Sequence, residues 1–260
     1  MFNLPQILTY FPWLSASKAE SCLREYLQCK ILKSIFSSPY GKSLRFIGGT
    51  SLRIVYGNTR FSEDLDFDND GTISFEDFTA LSEHIQKDIE QEWLEVRVRT
   101  IKKGAFHCHV NIPSLLYENH LAPMKTQTIL IQIDTHNQGY RYEPTSYFLS
   151  KFDVQANILT VSPSLLLSQK LYTCFTRKRL KGRDFFDIVF LLGLTKKPDY
   201  GFLEQKLEIT TGEGITAYLL EKAEGIDFAT LQNDVQPFLF DPTNQSVALF
   251  PQIIQQTTWE

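Results

Sequence analysis

The sequence predicts an α/β domain with a mixed sheet, followed by a mostly helical domain. Three observations predict this. Over roughly the first 150 residues, helical apolar spacing alternates with short segments of strand periodicity. After Pro163, helical spacing dominates. The composition, 43% hydrophobic and 22% charged in 260 residues, is that of a folded chain long enough to bury a sizeable core or two. The boundary falls near residue 155, which divides the chain into residues 1–155 and 156–260.

Taken in order, Leu23, Tyr26, Leu27, Ile31, Leu32 and Ile35 recur at helical spacing over residues 17–37, and Ser38 to Gly41 end that helix. Leu44 to Ile47 is a short apolar strand running into Gly48, Gly49 and Thr50, and Ser51 to Tyr56 fits a short helix. Leu65 and Phe67 then alternate with Asp64, Asp66 and Asp68, as in a strand. Phe75 to Trp93 reads as a second amphipathic helix. Three further strands are expected over Leu94 to Thr100, Phe106 to Ile112 and Thr128 to Asp134. Beyond Pro163, helices are expected at Leu165 to Thr176, Asp184 to Leu192, 201–208, 212–223 and 228–238. The glutamine-rich tail from Asp241 to Glu260 shows little periodicity, and no internal repeat is present.

Charge and cysteine usage narrow the classes. A formal net charge of -4 carries no global signal of nucleic-acid binding, so any such contact must be local. One local basic run exists: in RKRLKGR, 177–183, five of seven residues are basic. Such a loop binds backbone phosphates or is simply solvated surface. Cys22, Cys29, Cys108 and Cys174 have no CxxC spacing, and no second group completes a zinc site with His107, Cys108 and His109. They read as reduced thiols. The 20 phenylalanines and 11 tyrosines read chiefly as core. The N-terminus lacks the basic start and apolar run of a signal peptide, and no uncharged apolar segment reaches membrane-spanning length. A cytoplasmic location without a membrane is the expectation.

The chemistry concentrates between Arg45 and Asp68, RFIGGTSLRIVYGNTRFSEDLDFD. Glycines 48 and 49 between a strand and a helix allow a tight turn and leave N–H groups facing a phosphate. Thr50 adds a hydroxyl. Asp64 and Asp66, two apart on a strand, point to one face. Two such carboxylates repel unless a cation lies between them, and Mg²⁺ (or Mn²⁺ in its place) accepts carboxylate and triphosphate oxygens together. A calcium loop is excluded, because Phe75 stands twelfth from Asp64 and no helix precedes the loop. A third acid is expected nearby, to complete the metal cage or deprotonate the attacking hydroxyl. Asp134, closing the buried strand TILIQID, is the candidate; a salt bridge or a turn cap would also satisfy it.

The later residues have readings of their own. Lys170, among Leu165, Leu166, Leu167 and Leu171, either snorkels to water or supplies positive charge to phosphates. Asp184 and Asp187 share a helix face and open a helix, where carboxylates suit the dipole.

These pieces resemble the AbiEii/AbiGii-type toxins, a branch of the polymerase-beta-like nucleotidyltransferase superfamily. The resemblance rests on GGTSL at 48–52, RFSEDLDFD at 60–68, IQID at 131–134, the SLLLSQKLYTCFTR stretch around Lys170, and KGRDFFDIVFLL at 181–192. It implies a polymerase-beta-like nucleotidyltransferase domain and a helical domain bringing Lys170, Asp184 and Asp187 to a shared cleft. It implies that Gly49 and Thr50 bind phosphate, that Asp64 and Asp66 hold the metal with Asp134 as third acid, and that Ser62 precedes the pair. Lys170 is implied to contact the triphosphate, and Asp184 and Asp187 to be paired acids of which one or both are required. Arg183 is expected to pair with a neighbouring carboxylate. The implied activity is transfer of an NMP from an NTP to an acceptor hydroxyl on RNA, tRNA in particular. The implied partner is an antitoxin from a neighbouring gene. An NTP-dependent kinase, a protein-modifying nucleotidyltransferase of the same fold and an inactive nucleotide-binding protein are the alternatives.

Overall fold

The computed structural model describes residues 2–92 and 94–260. They form two compact units: the first runs to Tyr56 and resumes over Phe61–Thr160, and the second takes Gly57–Arg60 and Val161–Glu260.

The first unit is built on a seven-stranded mixed sheet. Its strands are β1 (Leu44–Ile47), β2 (Leu65–Asn69), β3 (Arg97–Lys103), β4 (Ala105–Ile112), β5 (Ile129–His136), β6 (Thr145–Lys151) and β7 (Val154–Thr160), in the order β3-β4-β5-β2-β1-β7-β6. Two neighbouring pairs, β2 with β5 and β1 with β7, are parallel, and the rest are antiparallel. In the β2–β5–β4–β3 half one face is apolar: Leu65, Phe67, Ile131, Ile133, Cys108 and Val110 are all buried. The helices α2 (Ala19–Ser37) and α4 (Phe75–Gln91) supply the facing core. All six apolar positions that predict α2 are buried, and with them Glu25 and Gln28. Ser74 and Asp77 close a reciprocal capping box at the start of α4. The predicted end of that helix, Trp93, lies outside the described residues. A short helix, α1 (Leu4–Leu8), precedes α2; α3 (Gly48–Tyr56) follows β1, and α5 (Leu115–Glu118) follows β4. The four cysteines are free and buried, and burial pushes the Cys108 thiol up to about 11.

The hairpin β6–β7 departs from expectation. Its turn carries no glycine or asparagine; Phe152 takes the positive φ of 57° there. Ring packing holds it, with centroids 4.7 Å from Tyr10 and 5.2 Å from Tyr26. A turn fixed by distant rings leaves no local signature.

The second unit is helical: α6 (Pro163–Thr176), α7 (Gly182–Leu192), α8 (Tyr200–Leu207), α9 (Gly212–Ala223), α10 (Phe228–Val235) and α11 (Phe250–Gln256). Phe185 anchors its core edge-on against Phe228 at 5.3 Å and Phe250 at 4.9 Å. The tail read as aperiodic thus contains a helix, α11, that buries Phe250 and Ile254. At seven residues it is too short for its period to rise above the surrounding polar chain. Among the described residues, no helix is long and apolar enough to cross a membrane.

Candidate functional site

The carboxylate row starts from a steric fact. Gly48 has φ +76°, and a Cβ built on it would lie 2.2 Å from Asp66 Oδ2. The strand register explains the proximity, since β1 and β2 are antiparallel with Ile47 opposite Asp66. The Asp66 carboxylate therefore lies against the turn that opens α3, where the first N–H groups have no partner within the helix and the dipole is positive. Asp66 is half-buried and Asp64 is exposed, while Leu65 and Phe67 between and beyond them are buried on the opposite face.

Neutral hydrogen bonds hold this arrangement. The buried Thr50 hydroxyl donates to the Asp64 carbonyl. Gln28 Nε2, from α2, donates to the carbonyls of Ser62 at 3.0 Å and Glu63 at 2.9 Å. Thr160 Oγ1 donates to the Phe46 carbonyl at 2.7 Å and meets Ser51 Oγ at 3.0 Å, tying β7 to β1 and α3. One expectation changes. The Thr50 hydroxyl, expected toward a phosphate, directs its one proton to the Asp64 carbonyl. Gln28 was not singled out from sequence, because a polar residue on an apolar helix gives no hint of a partner 34 residues away.

Asp134 is the register partner of Asp66 on β5, and His107 is the partner of Asp134 on β4. The three stand in one row across three strands, on the face opposite the helix-packed core. Asp134 Oδ1 lies 2.7 Å from His107 Nδ1, and Gln132 Nε2 donates to both Asp134 oxygens at 2.9 and 2.8 Å. The partner that a carboxylate on a buried strand requires is thus a histidine and an amide. Asp68 is withdrawn from the row. It is buried, accepting from Tyr142 Oη at 2.6 Å and from Gln138 N at 2.9 Å. Burial raises its pKa, and these two hydrogen bonds oppose the rise.

Among the described residues, no three His, Cys, Asp or Glu side chains are gathered to hold a metal ion. The residues present still suit Mg²⁺, which is commonly held by one or two carboxylates while phosphate oxygens and water complete its shell. Asp64 and Asp66 supply hard oxygen donors on an accessible face beside a phosphate-competent turn.

The second unit holds a charged cluster of its own. Lys170 Nζ lies 2.8 Å from Asp184 Oδ1 and 2.8 Å from Asp187 Oδ2. Arg60 grips Asp187 through two nitrogens at 2.7 and 2.6 Å, and Asn58 Nδ2 adds a bond of 2.9 Å. Arg177 Nε reaches Asp184 Oδ2 at 3.2 Å. Burial alone would raise the Asp187 pKa, but Arg60 and Lys170 outweigh it and hold the group at about 2. Burial likewise opposes the Lys170 ammonium, yet Asp184 and Asp187 leave its pKa above the usual value. Asp187, expected at the reacting centre, is 0% exposed, and Lys170 does not snorkel. Arg177 supplies a guanidinium to Asp184, and the Arg183 guanidinium lies over the Phe238 ring at 4.3 Å. Arg60 and Asn58 were missed as members, being 127 and 129 residues from Asp187.

A family model, described as nucleotidyl transferase AbiEii toxin of a type IV toxin–antitoxin system, matches residues 30–244. The chain belongs to the AbiEii nucleotidyltransferase toxin family. It is accordingly a nucleotidyltransferase and a toxin-type protein, and the family implies an antitoxin partner. Its fold is similar to that of MenT4, the nucleotidyltransferase toxin Rv2826c of Mycobacterium tuberculosis H37Rv. The TM-score is 0.63 at 15% identity, over 99% of this chain and 89% of that one. It is also similar to JHP933 of Helicobacter pylori, with a TM-score of 0.53 at 18% identity over 94% of each chain. Among curated proteins, none matches the chain in sequence. The AbiEii match spans both the carboxylate row and the Lys170 cluster.

Proposed function

We propose that this AbiEii-family enzyme moves a nucleoside monophosphate from an NTP to an acceptor hydroxyl on RNA, tRNA in particular. The observation that carries the reading is the Asp66 carboxylate seated against the Gly48 turn, with Asp134 beside it in register. In this reading the N–H groups at Gly48, Gly49 and Thr50 receive the triphosphate. Asp64 and Asp66 hold Mg²⁺ or Mn²⁺, which when bound neutralises charge on the triphosphate oxygens. Asp134, oriented by Gln132 and His107, takes the proton of the acceptor hydroxyl. The hydroxyl oxygen forms a bond to the α-phosphorus, and the bond to pyrophosphate breaks. Lys170, Asp184 and Asp187 act as positioning residues, fixing Arg177 at the start of the exposed basic segment. Lys178 and Arg179 in that segment contact RNA phosphates. A cytoplasmic setting and an antitoxin from a neighbouring gene belong to the same reading.

The test is label transfer from α-labelled NTPs to bulk tRNA and to total protein, by wild type and Asp66→Ala. Transfer to tRNA by wild type alone is expected. Equal labelling by both proteins would refute the role of Asp66, and label only in protein would refute the RNA acceptor. Transfer from γ-labelled NTP instead would make the enzyme a kinase. Calorimetry with no NTP binding in Mg²⁺ or Mn²⁺ would make it an inactive relative.

A further inference from the structure

The face of the sheet that bears Asp66 and Asp134, with Asp64 just ahead of β2, does not stop at those carboxylates. Registers across β5, β4 and β3 align three ranks on it: Asp134–His107–Ile101, Gln132–His109–Arg99 and Leu130–Asn111–Arg97. The alternate residues of β4 and β5, Cys108, Val110, Ile131 and Ile133, are buried on the helix-packed side. On the first side His107, His109, Gln132 and Asp134 are part-exposed, Leu130 is 40% exposed, and Arg97, Arg99 and Lys103 are exposed. The polarity changes in one direction. It is acidic at β2 and at Asp134 of β5, polar with flat imidazole and amide groups over the rest of β5 and β4, and basic at β3. From β2 to β3 is three strand spacings, about 14 Å.

We propose that this face is the track along which the RNA acceptor reaches the carboxylate row, a placement that rests on the RNA-acceptor reading above. Arg97, Arg99 and Lys103 bind its phosphates at the far edge. The polar middle and Leu130 lie under its bases. The acidic end is left for the divalent cation and the triphosphate. Charge complementarity selects a polyanion: the carboxylates would repel it unless it were anchored at a distance, and the anchor is the line of positive charge along β3 on the same face. Lysines and arginines also guard edge strands against pairing with other sheets. A guard has no need to choose a face. Here three of the four basic residues of β3 are on the carboxylate face, while Lys102, on the other, lies over the Phe75 and Phe106 rings at 5.8 and 5.9 Å. The exposed contact of Arg97 with Glu95, 2.8 Å, is weak enough to yield to a phosphate.

The experiment uses the full chain, fluorescent bulk tRNA and the variant Arg97→Gln/Arg99→Gln/Lys103→Gln. The expected result is at least a tenfold loss of tRNA affinity at low salt. The slope of log affinity against log salt should flatten by about 2, as three lost phosphate contacts require. NTP binding by calorimetry should stay unchanged, and the KM for tRNA should rise. Arg97→Lys/Arg99→Lys should retain the affinity. If wild type binds tRNA and the glutamine variant binds it equally with the same slope, the track lies elsewhere while the RNA-acceptor reading stands. If wild type neither binds nor labels tRNA, that reading falls and the track with it. If the variant keeps tRNA affinity but loses a co-expressed neighbouring-gene protein, the face is a protein-docking surface and the proposal is overturned.

Discussion

Adding one methyl group at Gly48 would place it 2.2 Å from Asp66 Oδ2 and force a side chain into φ +76°. The backbone penalty is about 1–2 kcal/mol, and the displaced carboxylate should cost activity on the order of 10²-fold. Gly104→Ala separates the two effects: its φ is +73°, but nothing lies within 4 Å of the added carbon. The melting shift of Gly104→Ala should report the backbone penalty alone, while label transfer falls only in Gly48→Ala. Equal activity in both would remove Asp66 from the site. Asp187 makes a second prediction. Replacing it by alanine leaves Arg60 and Lys170 facing a lost buried partner, an effect of about 3–5 kcal/mol. The pH dependence follows from its depressed pKa. The carboxylate contributes fully above its unfolded pKa of about 3.9, and the contribution is lost as pH falls toward about 2. Wild type should therefore lose stability in the second unit below about pH 4, and Asp187→Ala should show a flatter acid limb. An unchanged limb in denaturant titrations from pH 5 to 2 would contradict this.

At the scale of elements, the sequence is legible wherever period and burial coincide. The stripe Leu23 to Ile35, the alternation Ile129, Ile131, Ile133 and the break at Gly48 each report a local requirement, and each element formed where it was read. The placement of Asp66 on a strand was legible for the same reason, since the alternation with Leu65 and Phe67 is a local geometry; β2 begins at Leu65, so Asp64 stands just before it. What escaped was held from a distance. The β6–β7 turn depends on the rings of Tyr10 and Tyr26. The orienting groups of the site, Gln28 and His107, act on residues 34 and 27 positions away. The helix α11 depends on a pocket between Phe185 and Phe228. Its contribution is testable: Phe250→Ala removes a ring that is 0% exposed, with an expected loss of about 3–5 kcal/mol. Fluorescence-monitored unfolding of the second unit should report it, and a loss under about 1 kcal/mol would mean that the tail is peripheral to the core.

At the scale of the whole molecule, the chain leaves the first unit for four residues, Gly57–Arg60, and returns before finally entering the second at Val161. That excursion is small but chemically decisive, because it delivers Asn58 and Arg60 to Asp187. It is pinned by backbone as well, with Phe240 N donating to the Thr59 carbonyl at 3.0 Å and Arg60 bridging to Leu239. A boundary drawn by periodicity near residue 155 assigns these four residues to the wrong core, since nothing in their spacing announces an ion pair so far along the chain. The consequence is a fragment prediction. Residues 161–260 expressed alone retain every helix of the second unit but leave Asp187 with Lys170 and without its guanidinium. A wholly buried carboxylate that loses a two-nitrogen partner strongly destabilises its surroundings. The fragment should therefore show weak amide protection in α6 and α7. In the full chain, Arg60→Leu should lower protection in those same helices while β1, β2 and β5 keep theirs. Hydrogen exchange read by mass spectrometry distinguishes the outcomes. Native-like protection of α7 in the isolated fragment would show that Gly57–Arg60 is a passive connection.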